Sequence, residues 1–260
     1  MNMDVTAPPT AALGMRRDCL ARQHQALAEQ LDDSELQWWR QAREQLARQP
    51  DANTAVLLSG QCKRHLHDRA LPDNDSWSLI QLARALLLAQ VLEQSSGGGQ
   101  LSTLRQLFLW GDDQEKIAIL KAFDWLDSHG VCIELALQAG RTSNSQVFAA
   151  LALDTPYPSR HYPERAFHQL VLKALGMGLD ISRLVGLSQR HGTALNQLAL
   201  DLLEEQLAAD RAVSVGLPLA IAFDRLSPVQ HQRLIELNRQ RRLPAQWRDH
   251  LNGYPTIPFP

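Results

Sequence analysis

Apolar residues recur along the chain at helical spacing, in runs of ten to fifteen residues separated by short polar breaks. From about Gly14 the pattern predicts a helix over Arg16–Leu31, with Leu20, Leu27 and Leu31 on one stripe. Ser34 three residues before Gln37 has the spacing of a capping box and predicts a second helix running to about Arg48, ahead of Pro50. A third is expected over roughly Asn53–Ala70. Pro72 and Ser76 open a fourth over Trp77–Glu93, whose Leu79, Ile80, Leu86 and Leu87 mark it as well buried. Beyond it the pattern gives Leu101–Trp110, a helix capped by Asp112 or Asp113, Val131–Ala139 and Asn144–Leu153. Pro163 suits the first turn of a helix ending at Gly176, since its missing N–H leaves no partner unsatisfied there. Asp180 caps a short piece, Thr193–Ala209 is a long amphipathic helix, and Pro218 opens another to about Arg225. Ser227-Pro228 with Gln230 is a full helix-start signal for the last one, to about Arg242.

No segment alternates with period two ahead of a hairpin turn, so the expectation is all-α. Stacked antiparallel helix pairs satisfy it, either as a curved HEAT-like α-solenoid or as an irregular helical bundle. The expected organisation is a flexible N-terminal arm over residues 1–13 and a helical subdomain over 14–94. A Ser/Gly joint over 95–99, a helical core over 100–250 and an extended C-terminal tail over 251–260 complete it.

Charge narrows the partners. With 26 basic and 28 acidic residues the net charge is −2, which disfavours a general polyanion binder. A nucleic-acid-binding HEAT-like face therefore ranks last, and the basic run Arg239-Gln-Arg241-Arg242 is read as complementing a helix C-terminus. Three scattered cysteines, Cys19, Cys62 and Cys132, form no disulfide framework, which fits a reducing, cytoplasmic setting. No secretory leader is read at the N-terminus, and no apolar run approaches the ~18 residues of a membrane span. Cys62, His65 and Asp68 share a helix face, but a closed zinc site needs four convergent ligands, so no metal or cofactor is expected. Trp38 and Trp39 cannot face the same way; one is expected in the core and the other at a lip.

The Gly140–Gly176 stretch is the richest in chemistry. Pro156-Tyr157-Pro158 is expected to be an extended segment lying over neighbouring helices. Phe167, Leu170, Val171, Ala174 and Leu175 then form an apolar stripe flanked by polar groups. Two readings stand. In one, Arg141 or Asn144 binds the carbonyls of the rigid loop and Lys173 sits in a salt bridge, a structural staple. In the other, Arg141, Asn144, Tyr157, His168 and Lys173 converge on an anionic or polyhydroxylated small molecule. A catalytic variant of the second would use Lys173 or His168 as acid/base with Arg141 holding the substrate.

These same residues carry a resemblance. Arg141-Thr-Ser-Asn144, Val147-Phe-Ala-Ala-Leu-Ala152, Pro156-Tyr-Pro158 and Leu170-Val-Leu-Lys-Ala-Leu175 resemble the EboA-domain family. That family's core has an Arg-Thr-Asn helix start, an Asn-Pro-Tyr-Pro loop and a helix ending Asn-Gln-Met-Val-Leu-Lys-Ala-Leu-Phe. Leu104–Phe108 with Asp112–Glu115 also fits its pattern, and the resemblance spans about residues 75–215, making 100–250 an EboA-like core. The chain departs at Thr155 for the loop Asn, Phe167-His168 for Trp-Asn, Gly176 for Phe, and Ser143 inserted before Asn144. The resemblance implies a non-catalytic accessory protein of a specialised-metabolite gene cluster, acting in biosynthesis or trafficking. On that resemblance it would bind a pathway metabolite or a cluster enzyme: a membrane prenyltransferase, a TatD-type hydrolase, a dehydroquinate-synthase-like cyclase or an isomerase-like barrel.

Overall fold

A computed structural model describes residues 12–72, 74–95 and 97–251, and the chain divides into two compact units, residues 1–151 and 152–260. Most of the expected arm and C-terminal tail lies outside the described residues. The fold is helical, with one short antiparallel hairpin that the hydrophobic pattern does not predict.

In the first unit, α1 (Arg17–Gln30), α2 (Asp33–Arg48) and α3 (Ala52–His65) precede β1 (Ala70–Leu71) and β2 (Asn74–Ser78). There follow α4 (Leu79–Gln94), α5 (Gly97–Trp110), α6 (Asp113–Leu126), α7 (Ile133–Ala139) and α8 (Ser145–Ala152). The organising element is α4. Thirteen of its sixteen residues are buried, because it is apolar on every side and α1, α2, α3, α5 and α6 pack around it. Its two long buried polar residues are Arg84 and Gln90. Gln90 is satisfied by Arg43: its amide donates to the Arg43 carbonyl at 2.8 Å and its oxygen accepts from Arg43 Nε at 3.1 Å.

Capping boxes start α2, α4 and α6, at Asp32/Glu35, Ser78/Gln81 and Asp112/Glu115. The first lies two residues before the expected Ser34/Gln37 pair. Ser34 instead donates its hydroxyl to Asp32 Oδ1, and Glu35 is held by contacts that fix this register. The third helix ends at His65 rather than near Ala70, because Glu35 captures the next segment through His67 and Arg69 and turns it into the hairpin. The glycines expected in a joint form the first turn of α5, which packs against α3, α4 and α6.

The second unit contains α9 (Tyr157–His161), α10 (Glu164–Gly176), α11 (Thr193–Ala208), α12 (Pro228–Arg239) and α13 (Trp247–Leu251). Between them lie four 3₁₀ turns, Ile181–Arg183, Ser188–Arg190, Leu217–Ala220 and Phe223–Arg225. The Pro-Tyr-Pro segment is not extended: Pro156 adopts φ −81°, ψ −2° and its prolines occupy the first turn of α9, where a missing N–H has no cost. Ser227 and Gln230 form the expected capping box of α12. Asn196 on α11 clips the chain after the Leu217–Ala220 turn. Its amide donates to the Ala222 carbonyl at 2.9 Å and its oxygen accepts the Ala222 N–H at 2.8 Å, so both buried backbone groups are satisfied.

Candidate functional site

The second unit holds a cleft of about 420 Å³ whose walls come from its 3₁₀ turns. The first wall begins at Asp180, whose Oδ1 accepts from the Ser182 N–H at 3.0 Å and from its hydroxyl at 2.6 Å. The chain then reverses at Gly186 with φ +80°, close against Ser159. Arg190 anchors the next turn. Its guanidinium donates to the carbonyls of Ser159 and Tyr162, both at 2.8 Å, and lies 4.8 Å from the Phe167 ring centre. The opposite wall is the Pro218–Ile221 stretch. His191 joins the two, with Nε2 2.9 Å from the Leu219 carbonyl oxygen. Because a carbonyl only accepts, Nε2 carries the proton, and Nδ1 of the neutral ring is left as an acceptor. His250 from α13 also lines the cleft, its ring stacked on Phe223 at 5.4 Å and 12°.

Leu184, Leu187 and Ile221 supply an apolar floor, and Ser182 and Ser188 add hydroxyls. No Lys, Arg, Asp or Glu lines the cleft among the described residues. Of the lining residues Leu219 is 36% exposed, and Val185, between Leu184 and Gly186 in sequence, is 42% exposed. A cavity of this size with a largely apolar lining and a few polar groups is suited to a small, largely apolar molecule.

The residues expected from the Gly140–Gly176 stretch lie elsewhere. Arg141 and Asn144 belong to the first unit, and Tyr157, His168 and Lys173 to the second. Arg141 is exposed. Asn144 caps α8, its Oδ1 accepting from the N–H groups of Gln146 and Val147, while its amide donates to Asp113 at 2.7 Å. Tyr157 is fully buried with its ring 4.8 Å from that of His161. His168 is 3% exposed; its Nε2 has no hydrogen-bond partner and lies 3.9 Å from Glu164. Lys173 is half-buried.

The first unit carries a smaller cleft of about 280 Å³ beside the hairpin, with Arg69, Trp77, Gln81 and Lys121 in its lining. Lys121 donates to the Ser76 carbonyl and to Gln81 Oε1 and lies 5.5 Å from the Trp77 ring centre. Nearby, Asp32, Glu35 and His67 bring metal-capable atoms within 4.8 Å of one another. Glu35, however, is 1% exposed and already accepts from the N–H groups of Asp32 and His67, from the His67 ring and twice from Arg69. These contacts use the roughly four lone-pair positions of a carboxylate. The Arg69 bonds hold the Glu35 carboxyl well below the usual carboxylate range, against the opposing effect of burial. This is a clamp between α2 and the hairpin. Cys62 likewise does not form a ligand set with His65: its thiol is fully buried and pushed up to about 12 by burial, while the His65 ring stacks on Trp38 at 5.0 Å. Trp39 is the core member of the tryptophan pair.

Residues 61–221, more than half of the chain, match the family described as metabolite traffic protein EboA. The chain belongs to the EboA family. No curated protein and no solved structure matches it. The EboA match takes in the hairpin, α4 to α11 and both walls of the 420 Å³ cleft, whereas His250 lies beyond it. No described helix is long and apolar enough to cross a membrane.

The cleft residues carry no motif. Their one visible signal is negative: between Gly176 and Ser227 helical periodicity is interrupted twice, at 178–192, which holds three Gly and two Ser, and at 209–226, which holds Ser214, Gly216 and Pro218. Two such breaks flanking one amphipathic helix bring irregular chain together over its ends.

Proposed function

We propose that this EboA-family chain is a non-catalytic carrier that holds an uncharged, largely apolar metabolite in the cleft of its second unit. The observation that supports it is the cleft itself, about 420 Å³, largely apolar and without Lys, Arg, Asp or Glu in its lining among the described residues. Traffic of a metabolite requires reversible binding without turnover. Apolar burial supplies affinity at roughly 25 cal/mol per Å², and His191 Nδ1 with the Ser182 and Ser188 oxygens supplies orientation. Transfer to a cluster enzyme would then occur at the apolar rim.

The test is native mass spectrometry of the full chain purified from its own host, as wild type, Leu219→Trp and Arg141→Ala/Lys173→Ala. Leu219 lines the cleft but is partly exposed, so a larger ring fills the space with little disturbance of the core. A bound small mass in the wild type and the double variant, lost from folded Leu219→Trp, is the expected result. A mass lost only from the double variant would move the ligand to the Gly140–Gly176 stretch. An apo wild type would remove the carrier reading.

A further inference from the structure

Arg84 is the one cation on α4, and it is 95% buried by the same packing that buries its apolar neighbours (5% exposed). Burying a guanidinium is costly unless its donors are satisfied. Only Nε has a protein acceptor among the described residues, the Ser59 carbonyl at 3.3 Å. No described carboxylate lies within ion-pair distance. Two acids stand near it: Glu115 accepts from the Ser59 hydroxyl at 2.6 Å and from the Asp112 N–H at 2.9 Å, and Asp112, 3.6 Å from Lys63, also interacts electrostatically with Arg84 without a direct ion pair. The two terminal nitrogens of Arg84 are left with four N–H donors and no hydrogen-bond partner among the described residues. They are not among the fully buried unpaired atoms, and Arg84 lines a partly enclosed cavity of about 30 Å³ between α3, α4, α5 and α6. That is twice or more the ~10–15 Å³ that one water needs. Apart from Ser59 and Glu115, its other walls are apolar, among them Ala55, Leu87, Leu107 and Ile119.

We propose that this cavity is an anion site for a small carboxylate, bound by the outer edge of the Arg84 guanidinium. Two parallel N–H groups match the two oxygens of a carboxylate and form a bidentate, charge-assisted pair. The apolar walls accept the short carbon chain behind it. Glu115 limits affinity through its like charge and excludes dianions, which makes the site selective for a monovalent head group. The site lies wholly in the first unit and does not depend on the second-unit cleft.

The probe is ¹³C-labelled acetate titrated into the full-length chain at fixed ionic strength, followed by NMR line broadening. Wild type, Arg84→Met and Glu115→Gln are compared, with bromide as a competitor. Saturable acetate binding is expected in the wild type, weakened ~10-fold or more in Arg84→Met, which keeps the side chain's length without its charge. Glu115→Gln retains an acceptor for Ser59 and tightens acetate severalfold. No saturable binding to the wild type, or equal binding to Arg84→Met, would overturn the site and leave the cavity to water. Bromide displacing acetate with equal affinity would overturn the carboxylate assignment. Should Arg84→Met not fold, Glu115→Gln decides: unchanged or weaker acetate binding refutes the proposal.

Discussion

The turn at Gly186 permits a sharp test of how the cleft is built. Its φ of +80° is a region where an L side chain costs about 1–2 kcal/mol. A Cβ placed there would lie 2.6 Å from Ser159 Oγ and 2.7 Å from Ser159 Cβ. The hydroxyl would have to swing away and give up its 2.9 Å bond to the Pro156 carbonyl, a further ~0.5–1.5 kcal/mol. The Cβ–Cβ approach cannot be relieved by rotation, so the turn or α9 must also shift. Gly186→Ala should therefore destabilise the second unit by about 2–4 kcal/mol.

The cause can be isolated by a double-mutant cycle. Ser159→Gly removes both clashing atoms at its own cost of about 1.5–2 kcal/mol, from the lost hydroxyl bond and the helical glycine. In that background Gly186→Ala should cost only the backbone share, about 1–2 kcal/mol. Urea unfolding of the four proteins, followed by circular dichroism, gives the coupling directly. A favourable coupling of about 1–2 kcal/mol is expected. Additivity within ~0.5 kcal/mol would refute the close approach of Gly186 to Ser159 and with it this wall of the cleft.

Glu35→Gln should lower stability at pH 7 by about 2–3 kcal/mol, since charge-assisted bonds become neutral ones; the 35% exposure of Arg69 limits the loss. Glu35 is depressed in the folded state, so its contribution is complete above the unfolded pKa near ~4.3 and fades as pH falls toward the folded value. The gap between wild type and variant in urea melts should accordingly close below about pH 4, and a pH-independent gap would contradict the clamp. Asn196→Ala removes both partners of the buried Ala222 backbone and should cost about 2–4 kcal/mol by thermal unfolding, whereas a cost under ~0.5 would show the clip is not made. Burial raises the pKa of Cys62 and Cys132, so in a thiol-reagent assay at pH 8 only Cys19 should react quickly in the native chain, with all three reacting once it is unfolded.

Helix formation was legible because it rests on local signals. The stripe of α10, the Ser227/Gln230 box and the all-round apolarity of α4 each follow from residues within one or two turns. What escaped depended on partners distant in sequence. Ser34/Gln37 and Asp32/Glu35 are equally good boxes on paper; the choice is made by Arg69, 34 residues away from Glu35. The same contact ends α3 early and sends the chain into a hairpin. The Pro-Tyr-Pro segment misled for a different reason: proline forbids the interior of a helix but not its first turn, and only the following Ser159–His161 can decide which applies.

The site shows the same division at the level of function. Charged and aromatic residues cluster in sequence at Gly140–Gly176, a stretch that lies within the family match over residues 61–221. Yet clustering in sequence is evidence of a shared local task, and Asn144 shows what that task can be: capping a helix and tying it to Asp113. A cavity, by contrast, is made where elements fail to fill space, so its walls come from breaks in periodicity, here two irregular segments on either side of α11. Its residues are ordinary Leu, Ile, Pro and Ser that no spacing rule distinguishes. The exception is the buried charge. A lone arginine in a mostly apolar helix is visible in the sequence at position 84, and among the described residues only its Nε finds a protein acceptor, the Ser59 carbonyl.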